Sequence, residues 1–436
     1  MVARGYTIEL NDNQRDTILV RLLYGLEHAL YFLCILFFTG AIMTVLFPVE
    51  AGIGEENPIA RLLWYPIYMT VILLALRILP QLVRLAVFNP ILIICVMLCG
   101  LSMIWSVDPA LTTRRSVALL VSTLFGLTLA ARYDWNQLIQ RFAAAFAILA
   151  ILSLLYSVLL PSRGVMQEIH AGAWRGLWVE KNYLGGQMSR GLILMMCAFA
   201  MKPERGFIWV PAGLLCFFLV LMSTSKTALL ISLISMILFI LLRIFRRFPI
   251  LRIPLLWSIV AGIGGFLALM YAIPDEMFAL IGKDRTLTGR TDIWDALILS
   301  IKQKPLLGYG YGVYWDDPLG PSYYTRLMLE WGIPSAHNGW IELWLSVGLL
   351  GVCAFIFQYF ITLGLAIDRI KRGGIETYWV VLSTLMFLML SMSESAILQQ
   401  NDLGWVIFVM TSAKLFAFER PYWRDRPRTS YFLPNI

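Results

Sequence analysis

A chain that crosses a bilayer has few structural options, because hydrocarbon offers no partner to a free backbone N–H or C=O. This sequence contains twelve apolar runs of the kind that cross as helices, near 23–47, 62–80, 86–106, 116–131, 141–160, 186–201, 207–222, 227–243, 253–273, 339–366, 377–392 and 402–418. A crossing takes about 20 apolar residues. Charged side chains are 14% of the 436 residues, against about 25% in a soluble domain. With so few charges, a soluble fold would leave large apolar patches in water. The expected fold is an all-α polytopic membrane protein of about 12 transmembrane helices. The six cysteines (Cys34, Cys95, Cys99, Cys197, Cys216, Cys353) all fall inside apolar runs, which excludes a secreted disulfide scaffold.

Lys and Arg orient the chain, since short cytoplasmic loops retain positive charge. With the N-terminus inside, 21 of the 35 basic residues fall on the cytoplasmic side. Most of the rest lie in two outside stretches, Pro161–Arg190 and Pro274–Ala336, and these break the rule. Both termini are then cytoplasmic. The stretch before residue 23 is polar, and the first apolar run is long and lacks a small-residue cleavage site, so it reads as a membrane helix rather than a signal peptide.

The chain divides into an N-terminal bundle of about nine helices (1–273), a long periplasmic loop (274–336) and C-terminal helices with a cytoplasmic tail (337–436). Loops that long usually have a purpose. In Thr291–Lys304 the residues Ile293, Trp294, Leu297, Ile298 and Ile301 recur at helical spacing, which predicts an amphipathic helix on the membrane surface with Arg290 at its N-terminus. Beyond it, glycine alternates with tyrosine in Gly308-Tyr309-Gly310-Tyr311-Gly312.

Three basic groups converge on the outer face. Lys226 lies in the tight turn Ser223–Ala228, Arg290 opens the loop helix, and His337 precedes the next membrane run. Each has a plain structural alternative: a snorkelling lysine, a salt bridge from Arg290 to Asp292 or Asp295, a capping or packing histidine. Their convergence favours chemistry. A second outside stretch, Trp174–Gly186, interleaves aromatic rings with Arg175, Lys181 and Asn182, a composition suited to sugar and phosphate as well as to an interfacial belt. Tyr309 and Tyr311 repeat it. The three histidines offer no close pair for a metal, and no Walker loop or serine nucleophile elbow is present.

The order Ser-Thr-Ser-Lys-Thr (223–227), Gly-Arg-Thr-Asp-Ile-Trp (289–294), Pro-Leu-Leu-Gly-Tyr-Gly (305–310) and Ala-His-Asn-Gly-Trp-Ile-Glu (336–342) resembles the O-antigen ligase and Wzy-type polysaccharide polymerase superfamily. Trp-Arg-Gly-Leu-Trp-Val-Glu-Lys-Asn (174–182) is similar to its exopolysaccharide-polymerase (ExoQ-like) branch. The resemblance implies a glycosyltransferase of the bacterial inner membrane, using an undecaprenyl-diphosphate-linked oligosaccharide at the periplasmic face without metal or other cofactor. It implies catalytic roles for His337, Arg290 and Lys226 and substrate contacts by Arg175, Lys181, Asn182, Tyr309, Tyr311 and Asn338. Lys226 stands where the ligases carry arginine, a point charge in place of a bidentate fork, and this favours the polymerase branch. Membrane lipid, a chain-length co-polymerase and a flippase are the implied partners, and nucleic acid is not among them.

The chemistry agrees with the residues. Two cations and a helix N-terminus can stabilise a departing diphosphate, and an imidazole can take the acceptor hydroxyl's proton. Two alternatives stand: an O-antigen/lipid A-core ligase, and a lipid-linked sugar flippase or transporter, which would place ionisable groups such as Glu27, His28 and Glu394 at mid-membrane.

Overall fold

The computed structural model describes residues 18–47, 58–167, 170–251, 254, 290–329, 333, 335–371 and 373–418. It contains, in chain order, α1 (Ile18–Phe38), α2 (Ala41–Leu46), α3 (Pro58–Leu76), α4 (Leu79–Phe88), α5 (Pro90–Leu101), α6 (Pro109–Arg132), α7 (Trp135–Leu159), α8 (Pro161–Gly164), α9 (Lys181–Met201), α10 (Gly206–Met222), α11 (Lys226–Arg247), α12 (Arg290–Gln303), α13 (Tyr323–Leu329), α14 (Gly339–Arg369), α15 (Glu376–Ser391) and α16 (Leu403–Phe418). The only β pairing among the described residues is an isolated bridge between Val165 and Trp174.

Eight helical stretches are long and apolar enough to cross a membrane, and α4 with the stretch from Pro90 to Ile104 makes a ninth if that bent pair is one span. The protein is an all-α, multi-pass membrane protein. The run expected at 86–106 is not one straight helix. Asn89–Pro90 breaks it, and the two parts meet at 96°, because proline supplies no N–H to continue the first helix. The apolar helices α15 and α16 are each 16 residues long. The run at 253–273 lies outside the described residues, so the expected count of twelve is not established.

Polar signals set the helix starts. Asp134 and Gln137 form a reciprocal capping box on α7. Asp108, Ser225 and Asn338 accept from the first-turn amides of α6, α11 and α14. The central helix is α9, which packs against α7, α10, α11 and α15. Close approach depends on small residues, as is general between membrane helices. A Cβ on Gly185 would lie 2.6 Å from that of Ala228 in α11, and one on Gly126 would lie 2.8 Å from that of Val409, where α6 meets α16.

Charge collects at the two ends of the bundle. At the end where α6 finishes, Glu27 pairs with Arg132 (2.6 Å), His28 Nδ1 meets the Tyr133 hydroxyl at 2.8 Å, and Lys414 Nζ donates to the carbonyls of Ala130 (3.2 Å) and Tyr133 (2.7 Å). Glu27 and His28 thus belong to this end cluster. Arg190, grouped from sequence with the outside cations, instead lies well inside α9. Its guanidinium donates to Gln187 (3.0 Å) and sits within reach of Asp402 and Gly404.

Candidate active site

The opposite end gathers the starts of α9, α11, α12 and α14 and the chain that follows α15. Gly339 brings the last two together. A Cβ there would lie 3.1–3.2 Å from Ile397 Cγ1 and the carbonyls of Ser391 and Glu394. Glu394 consequently stands between two predicted residues, with Oε2 3.7 Å from His337 Nδ1 and Oε1 3.8 Å from Arg290 Nη2. Both separations exceed a hydrogen bond, so Glu394 faces both groups without being locked to either. The partner of Arg290 is therefore Glu394 rather than Asp292 or Asp295. His337 holds a left-handed backbone (φ 47°), and its buried Nδ1 has no hydrogen-bond partner among the described residues. A non-glycine residue in that conformation costs about 1 kcal/mol or more.

The amphipathic helix that carries Arg290 is present, but its apolar face does not rest on lipid. Ile293, Leu297 and Ile301 pack in a small core with Tyr309, Tyr314, Ile333, Ala336 and Leu345, and Trp294 Nε1 donates to the Ala336 carbonyl at 3.0 Å. Protein covers the face that sequence periodicity assigns to the membrane surface. This docking sets Arg290 beside His337.

The Gly–Tyr stretch explains how the loop is anchored. Helix α14 breaks at Gly348 (φ 69°), and the freed backbone groups are taken up by the inserted segment. Tyr309 N donates to Leu345 O (2.7 Å), Gly310 N to Ser346 O (3.0 Å), and Leu349 N to Pro305 O (2.9 Å). Gly308 and Gly310 also have positive φ, and a Cβ on them would lie 2.5 Å from Leu345 O and 2.2 Å from Ser106 Oγ. The tyrosines face inward. Tyr309 donates its hydroxyl to Ser300 O (2.8 Å) and Tyr311 donates to Leu398 O (2.5 Å), so both rings brace the site. Asn338 caps α14 through Trp340 N (3.0 Å) and Ile341 N (3.4 Å). Arg175 donates to Arg163 O (2.6 Å) and so ties to the protein's own backbone.

Lys226, Lys181 and Asn182 meet where α9 and α11 begin. Ser225 Oγ donates to Asn182 Oδ1 at 2.9 Å, and the ammonium of Lys181 feels that of Lys226. Two lysines at two helix N-termini concentrate positive charge there. The preceding residue, Glu180, links this pair to the other cluster. Its carboxyl is pushed above the ordinary range by burial, with His337 the next influence, followed by Glu394 and Arg290. Glu342, in the first turn of α14, is committed to Trp315 Nε1 (2.7 Å) and Ala336 N (3.0 Å).

Sequence reasoning singles out the cations and the histidine. It misses Glu394 as their partner and leaves it to the transporter alternative. That residue lies just past the end of the 377–392 run, on the side reached by the start of the 339–366 run. Helix parity alone puts those two ends together.

Residues 211–356 match the sequence profile of the O-Antigen ligase family. Over that stretch the chain is similar to that family. The match contains Lys226, Arg290, His337 and Glu342, and leaves Glu180, Lys181 and Glu394 outside it. Over 266 residues the chain is 30% identical to the "Exopolysaccharide production protein ExoQ" of Rhizobium meliloti (strain 1021), covering 58% of this chain and 59% of that protein. It is also 26% identical over 98 residues to an uncharacterized protein of Haemophilus influenzae, covering 22% of this chain and 24% of that protein. The chain thus spans less than two thirds of either relative. The family is one of membrane glycosyl-transfer enzymes, ligases and polymerases.

Proposed function

We propose that this protein is a polysaccharide polymerase that moves a glycan from a polyprenyl diphosphate to a sugar acceptor at the periplasmic face of the inner membrane. The observation that carries the reading is the meeting, at one end of the bundle, of Arg290, His337 and Glu394 with Glu180 and the Lys181–Lys226 pair. The similarity to an exopolysaccharide production protein supports polymer formation. In this reading Lys181, Lys226 and Arg290 receive the diphosphate, whose negative charge grows as the glycosyl C–O bond breaks. His337 takes the proton from the acceptor hydroxyl as its oxygen forms the new bond to the anomeric carbon, and the bonding pair leaves on the diphosphate. Glu394 stabilises the imidazolium and orients the Arg290 fork.

Product analysis in a deletion strain tests it. Loss of polymer with a single repeat unit retained supports a polymerase. Loss of the attached glycan with free polymer still made supports the ligase reading, which the family description favours. In complementation, Arg290→Ala and Lys226→Ala should abolish product at normal protein level, with Lys226→Arg retaining part of it. Wild-type yield from both Arg290→Ala and Arg290→Lys would remove the diphosphate role.

A further inference from the structure

Glu394 stands 3.7 and 3.8 Å from His337 and Arg290, yet it comes from a stretch with no helix of its own. Residues 392–402 pass from α15 to α16 as successive turns. A link of turns is not stiff by itself, so other parts of the protein must set where its side chains stand. Two of its residues, Leu398 (φ 52°) and Asn401 (φ 57°), keep a left-handed backbone. Asparagine adopts that conformation readily. Leucine is strained there and stays only where its surroundings enforce it.

The enforcement comes from three other parts of the chain. Tyr311, in the segment inserted into α14, donates its hydroxyl to the carbonyl of Leu398 itself (2.5 Å) and lies 2.6 Å from Gln400 Oε1. Tyr68 of α3 donates to Asn401 Oδ1 (2.9 Å), and Asn401 N donates to Ser122 Oγ of α6 (2.9 Å). The backbone of Tyr311 is fixed in turn, its amide donating to the buried Ser102 Oγ at 2.9 Å. At the near end of the link, Glu394 N donates to Leu390 O of α15 (2.8 Å). Glu394 therefore lies between the end of a helix and a clamp four residues on.

We infer that Tyr311 is a positioning residue that acts through Glu394. By holding Leu398 in its left-handed turn it fixes the link, and with it the separation of Glu394 from His337 and Arg290. Two residues earlier, Tyr309 bonds to Ser300 O of α12, the helix that begins with Arg290. One short segment thus ties the loop that presents Arg290 to the link that presents Glu394. Without the Tyr311 hydroxyl, Leu398 is released toward ordinary backbone and the turn carrying Glu394 follows. A shift of about an ångström in a group that faces the reacting centre is enough to slow the reaction strongly. The Tyr311 ring itself is buried, so its influence on the reaction passes through the protein and not through contact with substrate.

This rests on the glycosyl-transfer reading above, and the test separates the two. Full-length protein in lipid nanodiscs is given radiolabelled lipid-linked repeat units extracted from the deletion strain, and turnover is followed against their concentration. Tyr311→Phe removes one oxygen and keeps the ring. It should lower kcat ~10-fold or more while KM for the repeat unit changes less than about twofold. On a Glu394→Gln background the same change should cost less than about twofold further, because the group it positions is already lost. Equal fractional losses in both backgrounds would make Tyr311 a structural residue and overturn the assignment, as would wild-type kcat in Tyr311→Phe or in Glu394→Gln. If Glu394→Gln has no measurable turnover, the split between kcat and KM decides, and a rise in KM matching the fall in kcat overturns the assignment. Should Tyr311→Phe fail to fold, Tyr68→Phe loosens the same link at Asn401 and is held to the same outcomes. Normal turnover in Arg290→Ala would remove the reaction reading instead.

Discussion

At the scale of single residues, His337 bears the greatest demand, since it combines a left-handed backbone with a buried ring nitrogen that makes no hydrogen bond among the described residues. Histidine, asparagine and aspartate tolerate that backbone better than other side chains, so His337→Asn is the cleanest probe. It should show the thermal stability of wild type and retain lipid-linked donor while losing turnover; normal turnover would remove the imidazole from the chemistry. His337→Ala adds backbone strain and should also lower thermal stability. Glu180 makes a second prediction with a definite sign. Burial raises its proton affinity in the folded state, so its contribution to stability is fully present below the ordinary carboxylate range and is lost as pH rises through the raised value. Glu180→Gln should therefore be at least as stable as wild type at pH 7 in thermal unfolding of the solubilised protein, with that advantage disappearing at pH 4. A variant less stable at pH 7 than at pH 4, relative to wild type, would mean that the carboxylate is paired. The cations were legible in the sequence because basic residues outside the membrane violate an orientation rule. Glu394 was not, because a lone carboxylate after an apolar run looks the same whether it faces lipid headgroups, a transport path or an arginine.

At the scale of elements, the insertion of Pro305–Gly312 into the break in α14 holds the loop helix and, through it, Arg290. Both sides of the junction need glycine. A Cβ on Gly348 would lie 2.1 Å from Leu306 O, and one on Gly308 would lie 2.5 Å from Leu345 O. Gly348→Ala and Gly308→Ala should each destabilise by more than about 2 kcal/mol, combining positive-φ strain with a backbone clash. Gly364 lies in the same helix, and a Cβ added there would meet nothing within 4 Å, so it should accept Ala with no loss. Thermal shift and polymer yield read both, and a neutral Gly348→Ala would mean that the break is not held by the loop. Sequence marked this stretch as turns from its glycines, and marked α12 as a helix from its period. It could not show that both tyrosine hydroxyls bond to the protein or that α12 lies on protein. A 3.6-residue period reports one apolar face, and lipid, a neighbouring helix and a folded loop satisfy that face equally well.

At the scale of the whole molecule, the bundle is polarised. One end holds Glu27, Arg132, Lys414 and the carbonyls of Gly373 and Gly374, to which Arg246 donates. The other holds the candidate site. Crossing helices alternate between these ends: α9 and α10 return the chain from Lys181 to Lys226, and α14 and α15 return it from His337 to Glu394. The orientation we propose from lysine and arginine density puts the first end in the cytoplasm. Under the proposed function, a polyprenyl-linked glycan handed across the membrane would then meet the site on arrival. Impermeant thiol labelling reads this directly, and the structure selects the positions. Leu319 is 81% exposed in the turn before α13, whereas the neighbouring Ser322 is fully buried and would report poorly. Glu204 is exposed in the short connection between α9 and α10. Cys353 is the exposed native thiol and is replaced by Ser in the background, the other five being buried. Leu319→Cys should label in cells whose inner membrane is intact, and Glu204→Cys only after that membrane is opened. The reverse pattern would put the site in the cytoplasm, where a periplasmic transfer reaction could not take place.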